Sequence, residues 1–177
     1  MKQSLIKSLN NLKVVEFKKV RLRDGKESDY YINIKKAYGY PEIKARLGDK
    51  IYSLMDKSAT CVAGSGYGGI PIASYLSTKY NIKLALVRNS SKNHGLKDLI
   101  DGYIPNESDK IAIVDDVFST GSSLRDTISN LKPTKAKVIC CYVVVKRGEG
   151  VLPVELKYLL TSEELIKRWN KNQSANY

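Results

Sequence analysis

The segment from Ile111 to Ser123, IAIVDDVFSTGSS, constrains the fold of this chain more than any other. It opens on four apolar, mostly β-branched residues, a run that is too short for a helix and typical of a buried strand. Two carboxylates, Asp115 and Asp116, follow, and after them comes a cluster of small hydroxyl residues around one glycine. Residues 124–131 then repeat apolar side chains at helical spacing. The segment therefore predicts a strand, an acidic pair, a hydroxyl-rich loop and a helix.

The chemistry of this segment suits a phosphorylated sugar. Backbone N–H groups and hydroxyls at a helix N-terminus bind phosphate, and the helix dipole favours its negative charge. Paired carboxylates just before such a loop can hold ribose hydroxyls or a magnesium ion. An ordinary strand–turn–helix crossover with a Ser/Thr cap has the same outline, so the loop alone leaves both interpretations open.

Length and charge narrow the class of protein. A chain of 177 residues suits one domain, and 42% hydrophobic with 27% charged residues is a globular composition. The net charge of +12 suits either a nucleic acid or a strongly anionic small substrate. The lysines are spread along the chain without a long basic block, which favours a positive site for phosphates over a nucleic-acid arm. RNA binding stays open as the alternative.

The cysteines indicate a compartment. Cys61, Cys140 and Cys141 lie inside apolar runs, at a spacing that fits neither a zinc site nor a disulfide framework. We therefore predict buried free thiols in a reducing cytoplasm. Near the N-terminus the short apolar run LIKSL is no secretory signal, and no stretch is long enough to cross a membrane, so a soluble cytoplasmic protein is expected.

Strands and helices alternate through the middle of the chain, which predicts βαβ crossovers and a parallel sheet with helices on both faces. Asp24-Gly25 is typical of a hairpin turn between two N-terminal strands. Strands are predicted at Val14–Arg21, Tyr30–Ile34, 60–63, Lys83–Val87, Val138–Val145 and Val154–Leu160. Helices are predicted at 2–12, at Pro41–Leu54, after the glycine-rich turn GSGYGG, after residue 123, and beyond a cap at Ser162-x-Glu164.

Four stretches resemble known phosphoribosyltransferases. The segment 111–123 is similar to the phosphoribosyl-pyrophosphate signature of the type I family, and Tyr67–Pro71 is similar to the family's pyrophosphate loop. LRDGKESDYYIN, residues 22–33, resembles the N-terminal hood hairpin of orotate phosphoribosyltransferases. The order Arg-x-x-x-Lys-x-His-Gly in residues 88–95 resembles the mobile catalytic loop that marks the same branch.

The resemblance covers roughly residues 10 to 150 and implies an architecture. We expect an α/β protein with the type I phosphoribosyltransferase fold, in which helices flank a central parallel sheet and a small N-terminal hood stands beside it. One domain, 1–177, would comprise a hood mainly in 1–40, a core of about 41–160, and a C-terminal helix and tail in 161–177. A homodimer is implied, with loop 88–102 of each subunit contributed to the neighbouring site.

The resemblance also implies a reaction. Orotate and phosphoribosyl pyrophosphate would give orotidine 5′-monophosphate and pyrophosphate, a step of de novo pyrimidine synthesis. Mg²⁺ is the implied cofactor, carried mainly by the substrate pyrophosphate and not by a metal site of the protein. Two alternatives remain: the same fold acting on another base, and a regulator that binds phosphoribosyl pyrophosphate and nucleic acid.

Roles carry over residue by residue where the motifs match. The implied catalytic residues are Lys92, His94, Asp115 and Asp116. The implied ligands of phosphoribosyl pyrophosphate are Arg23, Tyr67, Gly68, Arg88, Asn89, Lys92, His94, Asp115, Asp116, Val117, Phe118, Ser119, Thr120, Gly121, Ser122 and Ser123. The implied ligands of orotate are Tyr31, Ile32, Ser119 and Arg147, the arginine meeting the pyrimidine carboxylate.

The chain departs from the family pattern at four positions. Arg23 stands where lysine is common, and some members carry a lysine where this chain has Gly68. Asn89 replaces the lysine that typically follows Arg88, and Lys146 replaces the acid that usually precedes Arg147. The substitution at Asn89 removes one expected positive contact to the pyrophosphate.

Overall fold

The structure is a computed structural model, and it describes residues 2–21, 25, 27–88 and 99–167. The helices are α1 (Lys2–Asn11), α2 (Lys35–Tyr38), α3 (Pro41–Leu54), α4 (Gly66–Tyr80) and α5 (Ser122–Leu131). The strands are β1 (Val15–Arg21), β2 (Glu27–Ile32), β3 (Cys61–Ser65), β4 (Lys83–Val87), β5 (Ile100–Gly102), β6 (Lys110–Phe118), β7 (Lys137–Lys146) and β8 (Glu155–Thr161). A 3₁₀ turn, Lys132–Thr134, follows α5, and residues 162–167 are helical.

The strands form two sheets. β1 and β2 make an antiparallel hairpin, while the other six make one sheet in the order β5-β4-β3-β6-β7-β8. Within the larger sheet β4, β3, β6, β7 and β8 run parallel, and only the short β5 is antiparallel to its neighbour β4. The chain leaves β3 toward one edge and leaves β6 toward the other. The two connections therefore diverge between β3 and β6, which is where open α/β sheets bind ligands.

The sheet separates two apolar cores, because successive side chains of a strand point to opposite faces. On one face α1, α3 and α4 pack over Val62, Ala112 and Val114, with the buried ring of Tyr142 beneath them. On the other face α5 packs over the alternate residues of the same strands. Burial on both faces explains why these strands are continuously apolar instead of alternating.

The β1–β2 hairpin is joined to the main body at its base. Val15 pairs with Ile32, and both side chains are buried in the core beneath α1 and α3. Arg21 pairs with Glu27 at the far end, and a bulge lies between Phe17 and Val20. The hairpin therefore stands beside the large sheet with its outer half exposed.

Several predicted boundaries were wrong. The returning hairpin strand spans Glu27–Ile32 and not Tyr30–Ile34. The strand beginning near Ile111 continues through the acidic pair to Phe118, because β7 pairs with it along its whole length. The glycine-rich turn is itself helical, since α4 begins at Gly66.

The cap of the C-terminal helical residues also differs from the prediction. Thr161, and not Ser162, accepts the backbone N–H of Glu164 at 3.4 Å, while the Glu164 carboxylate accepts the backbone N–H of Thr161 at 2.9 Å. This reciprocal pair is a capping box, displaced by one residue from the predicted one.

The cysteines and the lengths of the helices were also the subject of predictions. Cys61, Cys140 and Cys141 are buried free thiols, as predicted. Among the described residues, every helix is too short or too polar to span a bilayer.

Candidate active site

A cleft of about 740 Å³ opens at the carboxyl ends of β3 and β6, where their connections diverge. The hairpin forms one of its walls, and the segments after β3 and β6 form its floor. Predicted site residues line it: Tyr31, Ile32, Tyr67, Gly68, Asp115, Asp116, Val117, Phe118, Ser119, Thr120, Gly121, Ser122, Ser123 and Arg147. The cleft is also lined by residues that were not predicted: Lys18, Val20, Arg21, Lys35, Ser65, Gly66, Ile70 and Leu124.

The loop after β6 presents a helix N-terminus to the cleft. Gly121 occupies the N-cap of α5 with φ +78°, and it has no side chain to cap the first turn. A Cβ at this position would approach the Phe118 ring to 2.8 Å and the Arg125 guanidinium to 2.9 Å. Glycine is therefore required both by the backbone conformation and by packing. The backbone N–H of Ser122 donates to the Thr120 hydroxyl at 3.4 Å. The N–H groups of this first turn and the neighbouring hydroxyls can donate hydrogen bonds to an anion.

Arg125 stabilises this loop through hydrogen bonds to backbone carbonyl oxygens. Its Nη1 donates to the carbonyl oxygen of Thr120 at 2.9 Å and to that of Val151 at 3.0 Å. Gly148 and Gly150 lie against the same loop so closely that a Cβ on either would come within 2.3 Å of the carbonyl oxygen of Ser119 or Thr120. The residues that follow β7 thus pack against the anion-binding loop.

The acidic pair is buried yet faces the cleft. Asp115 and Asp116 are each 8% exposed. One oxygen of Asp115 accepts the backbone N–H of Asp116 at 2.9 Å, and one oxygen of Asp116 accepts the N–H of Val117 at 2.8 Å. The second oxygen of Asp116 lies 2.8 Å from Nζ of Lys35.

Burial and crowding perturb the titration of Asp115. Burial, followed by the nearby charge of Asp116, raises the pKa of Asp115 from 3.8 to about 7. Burial lowers the pKa of Lys35, but its hydrogen bond and attraction to Asp116 outweigh that effect and leave the pKa raised. Lys35 therefore stays charged beside the pair. Strongly perturbed carboxylates in a cleft are typical of functional sites.

The turn after β3 packs directly against these carboxylates. A Cβ on Gly68 would lie 2.5 Å from an oxygen of Asp115 and from one of Asp116, and a Cβ on Gly69 would lie 2.4 Å from the carbonyl oxygen of Val114. The glycines thus allow α4 to begin against the end of β6. Tyr67, the residue before Gly68, is 88% exposed at the rim of the cleft.

The side of the cleft formed by the hairpin and α2 carries positive charge, and Arg147 contacts the hairpin there. Lys18, Arg21 and Lys35 line this side of the cleft. Arg147 donates through Nη2 to the Ser28 hydroxyl and to the carbonyl oxygen of Tyr30, the latter at 2.9 Å. Its guanidinium lies 4.4 Å from the centroid of the Tyr30 ring. The arginine after β7 therefore joins the main sheet to the hairpin while it lines the cleft.

The remaining predicted residues divide into two groups. Arg23, Asn89, Lys92 and His94 lie outside the described residues. Arg88, at the end of β4, is not among the residues that line this cleft, and its guanidinium forms a two-point ion pair with Asp101 at 2.9 and 3.3 Å.

Sequence reasoning missed Lys35, the cleft cation nearest the acidic pair. It is the first residue of α2, in the stretch IKKAYGY, which matches none of the motifs. Its proximity to the predicted Tyr31 and Ile32 was the available signal, because residues just beyond a strand end remain near the site to which the strand leads.

The site as a whole can bind a phosphorylated sugar with a second anionic group. An uncapped helix N-terminus can take one phosphate, and the acidic pair can accept hydroxyl hydrogens. Cationic side chains on the opposite wall can meet further negative charge. The cleft thus holds both signs of charge at separate positions, which suits a ligand that carries hydroxyls between anionic ends.

Comparison with known proteins agrees with this geometry. The family model described as the phosphoribosyl transferase domain matches residues 38–175. The chain belongs to the phosphoribosyltransferase family.

Individual relatives point to one branch of that family. The orotate phosphoribosyltransferase of Methanocaldococcus jannaschii is 36% identical over 170 residues, which are 93% of this chain and 96% of that protein. The crystal structure of orotate phosphoribosyltransferase from Aeropyrum pernix has a TM-score of 0.79 and 25% identity, covering 94% of this chain and 98% of that one. Leishmania donovani UMP synthase has a TM-score of 0.83 and 27% identity, and this chain covers 38% of that larger protein.

Proposed function

We propose that this chain is an orotate phosphoribosyltransferase, which transfers the phosphoribosyl group from phosphoribosyl pyrophosphate to orotate. One observation carries the proposal: a single cleft contains the acidic pair, the uncapped N-terminus of α5 and Arg147. These groups match the sugar hydroxyls, the 5′-phosphate and the base carboxylate of the two substrates. The relatives named orotate phosphoribosyltransferase support the same choice of base.

The donor is held by the floor of the cleft. Its 5′-phosphate accepts hydrogen bonds from the backbone and hydroxyls of Ser119–Ser123, and its ribose hydroxyls donate to Asp115 and Asp116. Breakage of the bond between C1 and the pyrophosphate leaves positive charge on the ribose and negative charge on the leaving group. The fixed charge of the acidic pair favours the cationic sugar, an electrostatic contribution that needs no reorganisation during the reaction.

The base is held by the wall of the cleft. Tyr31 and Ile32 lie where they can pack against a pyrimidine, and Arg147 can pair with its carboxylate. A guanidinium binds a carboxylate through two parallel, charge-assisted hydrogen bonds. The contacts of Arg147 to Ser28 and Tyr30 hold the guanidinium in place before the base arrives.

Mg²⁺ is part of the proposal as a companion of the pyrophosphate. Among the described residues there is no cluster of three or more side chains able to hold a metal ion. Mg²⁺ is commonly bound through one or two carboxylates together with substrate phosphates, and Asp115 and Asp116 fit that limited role. When bound, the ion would neutralise charge that develops on the leaving pyrophosphate.

We also propose a homodimer in which loop 88–102 serves the neighbouring site, where Arg88, Lys92 and His94 would stabilise the leaving pyrophosphate. The position of Arg88 outside the residues lining its own cleft supports this arrangement. Mixing inactive Lys92→Ala subunits with inactive Asp116→Asn subunits should then restore part of the activity, since one site of each heterodimer keeps both groups. No recovery after demonstrated subunit exchange would contradict it.

The cellular setting completes the proposal. Three buried free thiols suit a reducing compartment, so we place the protein in the cytoplasm. We propose no nucleic-acid partner, because Lys18, Arg21, Lys35 and Arg147 give the cleft positive charge that suits a phosphate-rich small substrate.

Arg147 provides the decisive test of the base. Arg147→Ala should lower kcat/KM for orotate by roughly ten- to a hundredfold, because hydrogen bonds to a charged group contribute on the order of 1.5–3 kcal/mol. Donor binding should change little, because the donor occupies the floor of the cleft. The measurement is the loss of orotate absorbance in steady state, beside calorimetric titration with Mg²⁺ and phosphoribosyl pyrophosphate.

Two results would contradict the choice of base. One is an unchanged KM for orotate in Arg147→Ala. The other is a wild-type enzyme that prefers uracil or a purine, which would assign the fold to another base.

A further inference from the structure

Two consecutive lysines on α2 have opposite environments. Nζ of Lys35 lies 2.8 Å from an oxygen of Asp116 and lines the cleft. Lys36 points to the other side of the helix, where its Nζ lies 2.8 Å from Glu16 and 2.9 Å from the carbonyl oxygen of Lys13. Only the first of the two therefore contacts the acidic pair.

The backbone of α2 is held firmly enough to fix where Lys35 can reach. Ile34 and Ala37 are fully buried in the core beneath α1 and α3. Tyr38, one helical turn after Lys35, donates its hydroxyl to the carbonyl oxygen of Gly68 at 2.8 Å. The helix is thus tied on one side to the core and on the other to the turn that packs against the acidic pair.

The acidic pair needs such a cation. Asp115 and Asp116 are adjacent and each 8% exposed, and a buried carboxylate is costly unless it is paired and hydrogen-bonded. The turn after β3 leaves no room to bring a side chain to them, because a Cβ on Gly68 would already lie 2.5 Å from their oxygens. A cation must approach from another element, and among the described residues Lys35 is the lysine or arginine in ion-pair contact with the pair.

We propose that Lys35 is a positioning residue for the reaction: its ammonium holds the carboxylate of Asp116 in the orientation in which the acidic pair presents its remaining oxygens to the ribose hydroxyls. This inference rests on the proposed function and identifies the residue that prepares its sugar site. Lys35 acts through Asp116 and not by contacting the donor. Its removal leaves the carboxylate of Asp116 without the ammonium that orients it, and the carboxylate can then turn away from the ribose.

The first experiment measures donor binding and turnover in Lys35→Ala, Lys35→Met and Lys35→Arg, with Lys36→Ala as the matched control. We expect Lys35→Ala and Lys35→Met to weaken binding of Mg²⁺–phosphoribosyl pyrophosphate, measured by calorimetry, by roughly tenfold, and kcat to fall by roughly ten- to a hundredfold. Lys35→Arg should recover most of both values. Lys36→Ala should equal the wild type, because its contacts lie outside the cleft.

A double-mutant cycle then separates positioning from direct contact. In an Asp116→Asn background, Lys35→Ala should change the donor dissociation constant by less than about threefold, because its partner is already neutral. If the fold-changes in the donor dissociation constant caused by the two substitutions instead multiply, Lys35 contacts the donor itself and the positioning role is wrong. An equal loss in Lys36→Ala would likewise overturn it, by showing that any charge removed from α2 has the same effect.

Two controls keep the outcome interpretable. Circular dichroism and thermal unfolding confirm that each variant is folded, and Lys35→Met preserves the length and packing of the side chain. Donor binding is measured without orotate. A wild-type protein that binds the donor but does not consume orotate would therefore sink the proposed base, while the effect of Lys35 on donor binding would still be tested.

Discussion

Strand β6 carries buried carboxylates at both ends, and the two ends differ. Asp109, just before its first residue, is 2% exposed and accepts hydrogen bonds from the Tyr103 hydroxyl at 2.7 Å and the Thr60 hydroxyl at 2.8 Å. The backbone N–H of Asn106 donates to it at 3.1 Å, and Nζ of Lys83 lies at 3.3 Å. Asp115, near the other end, is 8% exposed; it accepts the backbone N–H of Asp116 at 2.9 Å and a hydrogen bond from the Ser123 side chain.

The titration of the two carboxyls reflects this difference. Burial raises the pKa of Asp109, but its hydrogen bonds from Tyr103, Asn106 and Thr60 outweigh burial and lower the pKa to about 2. Burial and the charge of Asp116 raise the pKa of Asp115 to about 7. A buried carboxylate surrounded by donors stabilises the fold, whereas one with few donors is ready to accept the hydroxyls of a ligand. We therefore expect the amino end of β6 to contribute to stability and the carboxyl end to serve ligand binding.

The largest expected effect is on turnover. Asp115→Asn combined with Asp116→Asn should lower kcat by roughly 10²–10³ or more, since the charge acts on the transition state and the fold does not depend on it. Single-turnover kinetics and far-ultraviolet circular dichroism check the two halves of this statement. A folded double variant with near-normal kcat would end the assignment of the ribose site.

The opposite end should show the opposite phenotype. Asp109→Ala should lower the free energy of unfolding by on the order of 3 kcal/mol, because it leaves buried donors from three segments unpaired. The folded fraction should keep its kcat, since Asp109 lies roughly 20 Å from Asp115 at about 3.3 Å per residue. Urea denaturation and kinetics on the same preparation test this, and a selective loss of kcat would break the comparison.

The pH dependence of stability should differ in sign. The folded pKa of Asp115, about 7, lies above its ordinary value of 3.8, so the folded state binds the extra proton between these values and loses stability as pH rises through them. Asp115→Asn should therefore melt roughly 2–6 °C above the wild type at pH 8, a difference that should disappear near pH 4.

For Asp109 the sign is reversed. Its lowered pKa adds stability above pH 3.8 that is lost as pH falls through about 2. Thermal unfolding should be measured for Asp109→Asn and the wild type between pH 2.5 and 8. The melting temperature of the variant should lie below that of the wild type, and the difference should shrink as the pH falls. Parallel curves for the two variants would mean that neither carboxyl titrates as described.

The smallest expected effect sharpens the account of Asp109. Thr60→Val removes one hydroxyl that donates to Asp109 and accepts the backbone N–H of Lys110 at 3.0 Å, while keeping the shape of the side chain. The free energy of unfolding should fall by about 1 kcal/mol, with kcat unchanged. A loss as large as that of Asp109→Ala would show that packing, and not the donor set, stabilises this end of β6.

Local pattern was enough for most elements of the fold. The apolar runs of β3, β4, β7 and β8 and the helical spacing of α3 were predicted to within a few residues, because their burial is written into consecutive side chains. Boundaries failed where pairing between strands decides them. The acidic pair lies inside β6 because β7 continues beside it, and the short antiparallel β5 had no local pattern to reveal it.

The site divides in the same way. The loop 119–123 and the acidic pair were predicted from residue types suited to a phosphorylated sugar, and Arg147 was predicted from the family resemblance. All of them line the cleft. Lys35 was missed: its closeness in sequence to Tyr31 and Ile32 indicates that it is near the site, but its ion pair with Asp116 is a contact between residues 81 positions apart.

By itself, then, the sequence determined which segments become strands and helices and which side chains can bind phosphate, hydroxyl and carboxylate groups. These properties reside in neighbouring residues and survive in any arrangement of the chain. Only the tertiary structure decided that β3 and β6 lie side by side with diverging connections, that Arg147 reaches the hairpin, and that one lysine of α2 meets Asp116. The pKa of a buried carboxyl depends on the groups that surround it in space. This explains why two aspartates near the ends of one strand differ, the pKa of Asp109 being lowered and that of Asp115 raised.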